Sequence, residues 1–136
     1  MTRLLLDTHI FVWAKTAEKP LKPVIAAMIA DPANEVVVSL ASAWELIIKS
    51  ALGKLEGDAS LLIGSLETFE FVLADSGFGL LQIRPEHVFA IQRLPLHHRD
   101  PFDRLIVAQA IAERMRLVTV DRRLEAYADL DVVVGA

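Results

Sequence analysis

The chain contains no cysteine, so disulfide bonds and zinc sites built on thiolates are excluded. It also lacks any apolar run approaching the ~18 residues of a transmembrane helix, and we expect a protein outside the membrane. Basic residues are not in excess: 14 lysines and arginines stand against 18 acidic residues, which gives a net charge of −4 at pH 7. That charge disfavours a protein that coats nucleic acid non-specifically. The absence of thiols suits a reducing compartment, and we expect a cytoplasmic location.

Apolar residues, by contrast, are plentiful. Of the 136 residues, 54% are hydrophobic and only 24% are charged. This composition is typical of a compact chain with an apolar core and not of a disordered one. The length corresponds to one domain of ordinary size, so residues 1–136 are predicted to form a single domain.

Short apolar strands alternate with longer helical stretches along the chain. The predicted strands lie near 3–6, 35–38, 80–83, 117–120 and 131–134. One stretch between them, Ala59 to Leu73, is predicted as a single helical unit. Alternation of this kind is typical of a parallel sheet covered by helices on both faces. The sequence therefore predicts an α/β fold with about five parallel strands joined by right-handed crossovers.

Four acidic residues stand at the end of a strand or at the beginning of a helix. They are Asp7, Glu45, Asp103 and Asp121, called the four acids below. In an open α/β sheet, ligands bind in a crevice outside the carboxyl ends of the strands. Carboxylates crowded into such a crevice raise one another's pKa unless a cation lies among them. Oxygen ligands without sulfur favour Mg²⁺, with Mn²⁺ as an alternative.

Helix capping offers a second explanation for these residues. Asp7 and Asp121 are suitable N-caps, since aspartate is favoured before a first helical turn. Glu45 stands three residues after Ser42, which is the spacing of a capping box. Caps occur at either end of a fold, whereas the four acids all map to the side where strands end. The joint pattern therefore favours a site.

A fifth acid, Asp100, precedes Asp103 by one helical turn. Asp100 is followed by Pro101, a residue favoured at the first position of a helix, and the helix dipole favours the negative charge of Asp103. Asp100 is therefore predicted to be a helix cap first and an outer residue of the metal site second.

Hydroxyl and basic side chains accompany the acids. Thr8 and Thr119 adjoin two of them and are suited to orient carboxylates. Lys49 follows Glu45 by four residues and either pairs with it or contacts phosphates. Arg104 is predicted to contact phosphates. The four histidines, two of which are the adjacent His97 and His98, lack the spacing of a zinc site.

Four ordered segments resemble the PIN-domain family, and more narrowly the VapC-type toxins of bacterial and archaeal toxin–antitoxin pairs. These segments are Leu4–His9, Ser39–Lys49 with Gly53–Leu55, His98–Leu105, and Val118–Asp121. The resemblance spans essentially the whole chain. It implies a three-layer α/β/α fold, a parallel sheet of order 3-2-1-4-5 and a metal-dependent ribonuclease activity.

The same resemblance assigns roles to residues and names partners. It makes the four acids the catalytic site and implies that Asp7 and Asp103 are the direct Mg²⁺ ligands. It further implies an RNA substrate, a cognate antitoxin that holds the enzyme inactive, and a homodimer.

Three other classes of protein also have sites built from acidic residues. A receiver module needs an acceptor aspartate after its third strand, where this chain has Arg84 and Pro85. A phosphatase of the acyl-aspartate type needs a second aspartate two residues after Asp7, where His9 stands. A non-catalytic metal-binding subunit that acts through a partner antitoxin is the alternative that the sequence leaves open.

Overall fold

The structure, a computed structural model, describes residues 2–16, 18–55, 57–97, 99–127 and 129–134. His98 of the third family-like segment lies outside the described residues. The described strands are β1 (Thr2–Leu6), β2 (Asn34–Ser39), β3 (Gly79–Leu81), β4 (Arg116–Thr119) and β5 (Val132–Val134). All neighbouring strands are parallel and their order is β3-β2-β1-β4-β5, which confirms the expected sheet.

Six α-helices in the described part of the chain accompany the sheet. They are α1 (Thr8–Lys15), α2 (Pro23–Ala30), α3 (Leu40–Ala51), α4 (Leu66–Ser76), α5 (Pro85–Ala90) and α6 (Pro101–Glu113). Short 3₁₀ helices occupy Ala59–Ile63, Ile91–Arg93 and Arg122–Ala126. None of the helices built from described residues has the length and apolar character needed to cross a bilayer.

The prediction of one helical unit from Ala59 to Leu73 is wrong. A 3₁₀ helix ends at Ile63, and α4 begins separately after Ser65. The Ser65 hydroxyl accepts a hydrogen bond from the Thr68 amide at 3.0 Å, so Ser65 is the N-cap that starts the new helix. The apolar spacing continues through this break, which explains why periodicity did not reveal it.

Both faces of the sheet are covered, as predicted. Leu4 and Leu6 of β1 are fully buried in one core cluster, which includes Phe11 of α1 and Phe69 of α4. Leu5 points to the opposite face and belongs to a second cluster with residues of α6. The layers are therefore helix, sheet and helix, and the buried strands provide a rigid support for the residues at their ends.

A buried polar network joins the beginning of α3 to the middle of α6. The Ser39 hydroxyl donates to Oε1 of Gln109 at 2.5 Å, and Nε2 of Gln109 donates to the carbonyl of Gln82 at 3.2 Å. Ser39 and Gln109 are both completely buried. Unsatisfied polar groups would be costly at this depth, so the network fixes α3 relative to α6. These helices carry Glu45 and Asp103, respectively.

Candidate active site

Asp7 lies at the point where β1 becomes α1. Its amide donates to the carbonyl of Val118 in β4 at 2.9 Å, so the two strands remain paired up to the edge of the sheet. Its Oδ1 accepts the Ile10 amide at 2.9 Å and caps α1. Its Oδ2 accepts a short hydrogen bond from the Thr119 hydroxyl. Asp7 is therefore an N-cap, as the capping explanation predicted, and it is also held in place from β4.

The Asp7 side chain is buried, with only 5% of the residue exposed. Burial raises the pKa of Asp7 above its ordinary value, because the charged form loses its hydration. Hydrogen bonds from Thr119 and from the Ile10 and Val120 amides oppose this rise in pKa, as does the charge of His9. Ionisation of Asp7 is therefore unfavourable in the folded protein, and a bound cation would favour the charged form of its carboxylate.

Thr119 links Asp7 to Asp121. Its hydroxyl donates to Asp7 and accepts the Asp121 amide at 3.0 Å. The Asp121 carboxylate accepts both the amide and the guanidinium of Arg123, with the guanidinium contacts at 3.0 and 2.9 Å. Asp121 raises the pKa of Arg123 through this hydrogen bond, and the charges of Asp103 and Asp100 add to the rise. Arg123 therefore interacts electrostatically with Asp121, Asp103 and Asp100.

Glu45 is almost completely buried on α3, with 3% of the residue exposed. Its Oε1 accepts the Thr8 hydroxyl at 2.7 Å, and its Oε2 lies 2.7 Å from Nζ of Lys49. The capping-box explanation for Glu45 is wrong, because Ser39 and not Ser42 caps α3. Helix α1 therefore orients Glu45 through Thr8, and Lys49 compensates its charge.

Asp100 and Asp103 stand at the start of α6. Asp100 accepts the amides of Phe102 and Asp103 at 2.9 and 3.1 Å, which confirms that it is the N-cap. Asp103 lies in the first turn and is half-buried. The cap orients the first turn of α6, and with it the backbone that carries Asp103.

A cleft of about 590 Å³, called the acidic cleft, opens at this edge of the sheet. The four acids and Asp100 all line it, together with the basic side chains of His9, Lys49, Arg122 and Arg123. Five carboxylates thus face three permanently cationic groups and one histidine. The sequence predicted that the four acids share one crevice, and the structure places them there.

The carboxylates are not gathered into a ready-made coordination shell. Within the described residues, no three histidine, aspartate or glutamate side chains form a group able to hold a metal ion. Instead, Lys49 forms an ion pair with Glu45, and Arg123 forms one with Asp121. The donor set nevertheless fits a hard divalent cation, because it consists of oxygen and carries an excess of negative charge. Binding of an ion by Glu45 or Asp121 would require these two ion pairs to rearrange.

Two residues differ from their sequence-based interpretation. His9 lines the acidic cleft, although its sequence context predicted no role there: the histidines lack the spacing of a zinc site, and His9 stands where an acyl-aspartate phosphatase needs an aspartate. Its position two residues after Asp7, in the first turn of α1, is the sequence feature that could have predicted its place in the cleft. Arg104 donates to the carbonyls of Ile91 and Pro95 at 3.3 and 3.4 Å, and it is not among the described residues that line the cleft.

Replacing Thr119 with valine is expected to lower the free energy of unfolding by about 1–3 kcal/mol, since a buried hydrogen bond to a carboxylate and an acceptor for an amide are both lost. Urea denaturation at neutral pH measures this change. Thr119→Ser keeps the hydroxyl and serves as the matched control, which should lose clearly less stability. Equal stability of wild type and Thr119→Val would show that the bridge from Asp7 to Asp121 contributes nothing.

The PIN-domain family model matches residues 4–130 of this chain. Ribonuclease VapC22 of Mycobacterium tuberculosis is 31% identical over 128 residues, and the match covers 93% of both proteins.

Solved structures give the same fold. VapBC2 from Rickettsia felis, bound to a DNA fragment from its promoter, matches with a TM-score of 0.70 and 18% identity, covering 99% of this chain and 100% of that chain. DNA-bound VapBC from Salmonella typhimurium matches with a TM-score of 0.67 and 16% identity, covering 98% of each chain. At these identities the structural matches establish the fold alone.

Proposed function

Because the chain belongs to the PIN-domain family and resembles its VapC-type members, we propose that it is a metal-dependent endoribonuclease and the toxin of a toxin–antitoxin pair. One observation supports this proposal above all others. The four acids, which come from four different regions of the sequence, line a single cleft at the carboxyl ends of the strands. A catalytic site at this edge is typical of open α/β sheets.

The charge of the cleft supports a requirement for a cation. Five carboxylates and three permanently cationic side chains line it, so the cleft as a whole repels phosphate. A bound divalent cation inverts such a local field. The most economical way for this cleft to accept an RNA phosphodiester is therefore to bind Mg²⁺, or Mn²⁺ as the alternative.

The proposed roles follow from how each acid is held. Asp7 and Asp103 are the proposed metal ligands, and Glu45 and Asp121 bind a second ion or orient the attacking water. When bound, Mg²⁺ lowers the pKa of a coordinated water and neutralises charge that develops on the phosphate. Thr8 and Thr119 hold two of these carboxylates in fixed orientations before substrate arrives.

The cationic side chains at the cleft fit an RNA substrate. Lys49, Arg122 and Arg123 are positioned to attract the phosphates that flank the scissile bond. Lys49 and Arg123 contact acids in the described structure, and those acids would exchange the contacts for a metal ion. The two basic side chains would then become available to phosphate oxygens.

A cognate antitoxin and a second copy of this chain are the proposed protein partners. The structural neighbours in VapBC complexes support the antitoxin. Exposed apolar side chains on α3 support a protein interface, since Trp44 and Ile47 are each 51% exposed. The proposed location is the cytoplasm, where RNA is accessible.

Removing divalent metal is expected to stop cleavage completely. Purified protein is incubated with structured and unstructured RNA in Mg²⁺, in EDTA, and in EDTA followed by excess Mg²⁺. We expect fragments in the first and third conditions only, because the acidic cleft without a cation repels phosphate. Circular dichroism in EDTA is the control that the fold persists.

Two outcomes would contradict this proposal. Cleavage that continues undiminished in EDTA would exclude the metal-dependent mechanism. Calorimetric binding of Mg²⁺ without cleavage of any RNA would favour the alternative, a non-catalytic metal-binding subunit that acts through its antitoxin.

A further inference from the structure

A second pocket of about 260 Å³, called the side pocket, adjoins the acidic cleft. It lies between α1, α2 and the segment that joins them, and it shares one wall with the cleft, because Val120 lines both. Its lining includes Ile10, Trp13, Lys19, Lys22, Ile25 and Val120.

The floor and the rim of the side pocket differ in chemistry. Ile10 and Ile25 are each only 1% exposed, so the floor is apolar and firmly packed. Lys19 and Lys22 are exposed at the rim. Nζ of Lys19 lies 4.7 Å from the centre of the Trp13 ring, an arrangement in which a cation interacts with an aromatic face. The pocket is therefore an apolar slot with an aromatic wall and a cationic edge.

Aromatic side chains connect the cleft to this pocket. His9 lines the acidic cleft, and its ring centre is 5.6 Å from that of Trp13. Trp13 in turn lines the side pocket. A nucleotide strand whose phosphate occupies the cleft would therefore meet an aromatic surface immediately beside it.

We propose that the side pocket binds one unstacked nucleobase of an RNA strand whose neighbouring phosphate lies in the acidic cleft. Lys19 moves from the face of the Trp13 ring to a flanking phosphate, so that Trp13 stacks on the base and Lys19 and Lys22 hold the strand. Aromatic stacking combined with cationic contacts to phosphates binds single-stranded nucleic acid in other proteins. This inference rests on the proposed ribonuclease function and adds to it a binding site for one base beside the phosphate in the cleft. Bases inside an A-form helix are stacked and cannot enter such a slot.

The lining of another groove supports this choice of occupant. Described residues of α3 and α4, among them Ile47, Leu66 and Phe69, line a groove in which no charged side chain takes part. That groove has no cationic side chain to bind a phosphate, and its lining suits an apolar protein segment. The side pocket, with two lysines at its rim, suits a nucleotide.

Fluorescence of Trp13 tests the proposal directly. The chain has two tryptophans, so Trp44→Phe leaves Trp13 as the only one. In an Asp7→Asn background, which prevents the proposed cleavage, this protein is titrated with a short single-stranded RNA and with the same strand carrying abasic nucleotides. We expect the complete strand to quench Trp13 strongly and the abasic strand, which has the same phosphates but no base to stack, to quench it clearly less.

Binding measurements with Trp13 variants complete the test. Trp13→Leu is expected to weaken binding of the single-stranded RNA about tenfold, and Trp13→Phe to restore most of it, since stacking on one base is lost and then regained. Phe71→Leu, which removes an exposed aromatic ring of α4, is the matched control and should bind as wild type does. Should Trp13→Leu prove unfolded by circular dichroism, exposed Lys22→Glu replaces it and should also weaken binding.

The outcomes distinguish this inference from the proposed function. RNA cleavage with normal kinetics by a folded Trp13→Leu protein, or equal quenching by complete and abasic strands, would overturn the side-pocket proposal and leave the nuclease intact. Base-dependent quenching by a protein that cleaves no RNA in Mg²⁺ would overturn the nuclease and keep the pocket.

Discussion

Asp7→Asn is expected to reduce RNA cleavage about a hundredfold or more, because several kcal/mol of transition-state stabilisation are lost and each ~1.4 kcal/mol corresponds to tenfold in rate. The substitution removes the charge of a proposed metal ligand and replaces the Oδ2 that accepts the Thr119 hydroxyl by an amide nitrogen, which can instead donate to that hydroxyl. Asparagine is as good an N-cap as aspartate, so the hydrogen bond that starts α1 persists. Initial rates on one RNA substrate at saturating Mg²⁺ measure the effect.

The same variant should be as stable as wild type or more stable when metal is absent. Burial raises the pKa of Asp7, so its ionised form opposes folding at neutral pH. Asp7→Ala is the matched comparison, because it also removes the charge but loses the cap, at about 1 kcal/mol. An Asp7→Asn protein that cleaves RNA at the wild-type rate would contradict the assignment of Asp7.

The sign of the pH dependence follows from the direction of this pKa shift. Above the pKa of an ordinary aspartate, the unfolded chain has released a proton that folded Asp7 still holds. Wild-type stability in EDTA should therefore fall as pH rises from that ordinary value through the raised pKa of folded Asp7. The difference between Asp7→Asn and wild type should grow over the same range, as urea denaturation at several pH values would show.

Asp103→Asn and Asp100→Ala are expected to separate a metal ligand from a helix cap. Asp103→Asn should reduce cleavage by about a hundredfold while stability changes little, because its proposed role is to bind the metal. Asp100→Ala removes the acceptor for two amides of α6 and should destabilise the protein by about 1 kcal/mol. Cleavage at 25 °C and urea denaturation are measured for both.

The contrast between these two variants is the informative quantity. Asp100→Asn preserves the cap and removes the charge, so it should retain both stability and most activity. Loss of activity in Asp100→Asn equal to that in Asp103→Asn would assign Asp100 to the metal site as well. Full activity of Asp103→Asn would remove it from the proposed ligands.

Local sequence signals identified most elements because each strand is a short apolar run followed by a helix with its own cap. The predicted strand at 3–6 corresponds to β1, and Asp7 follows directly as cap and cleft residue. The same signals failed where two of them competed. Ser65 caps a new helix inside a continuous apolar period, and Ser39 rather than Ser42 caps α3.

The hydrogen-bond partners of the acids could not be predicted from local sequence patterns. Thr119 was predicted to orient a carboxylate because it stands near Asp121, yet its hydroxyl bonds to Asp7, which is 112 residues away in the chain. Thr8 orients Glu45 across 37 residues. No spacing rule relates such pairs, because the contact depends on which strands and helices become neighbours in space.

The sequence by itself determined the alternation of strands and helices and the position of each acid at the side where strands end, since both depend on local periodicity and chain direction. Only the tertiary structure decided that the acids share one cleft. The pairing of β1 with β4 places Asp7 beside Thr119 and Asp121, and the burial of Ser39 with Gln109 fixes α3 against α6. Long-range packing sets these distances, whereas residue spacing sets only which side of the sheet each acid occupies.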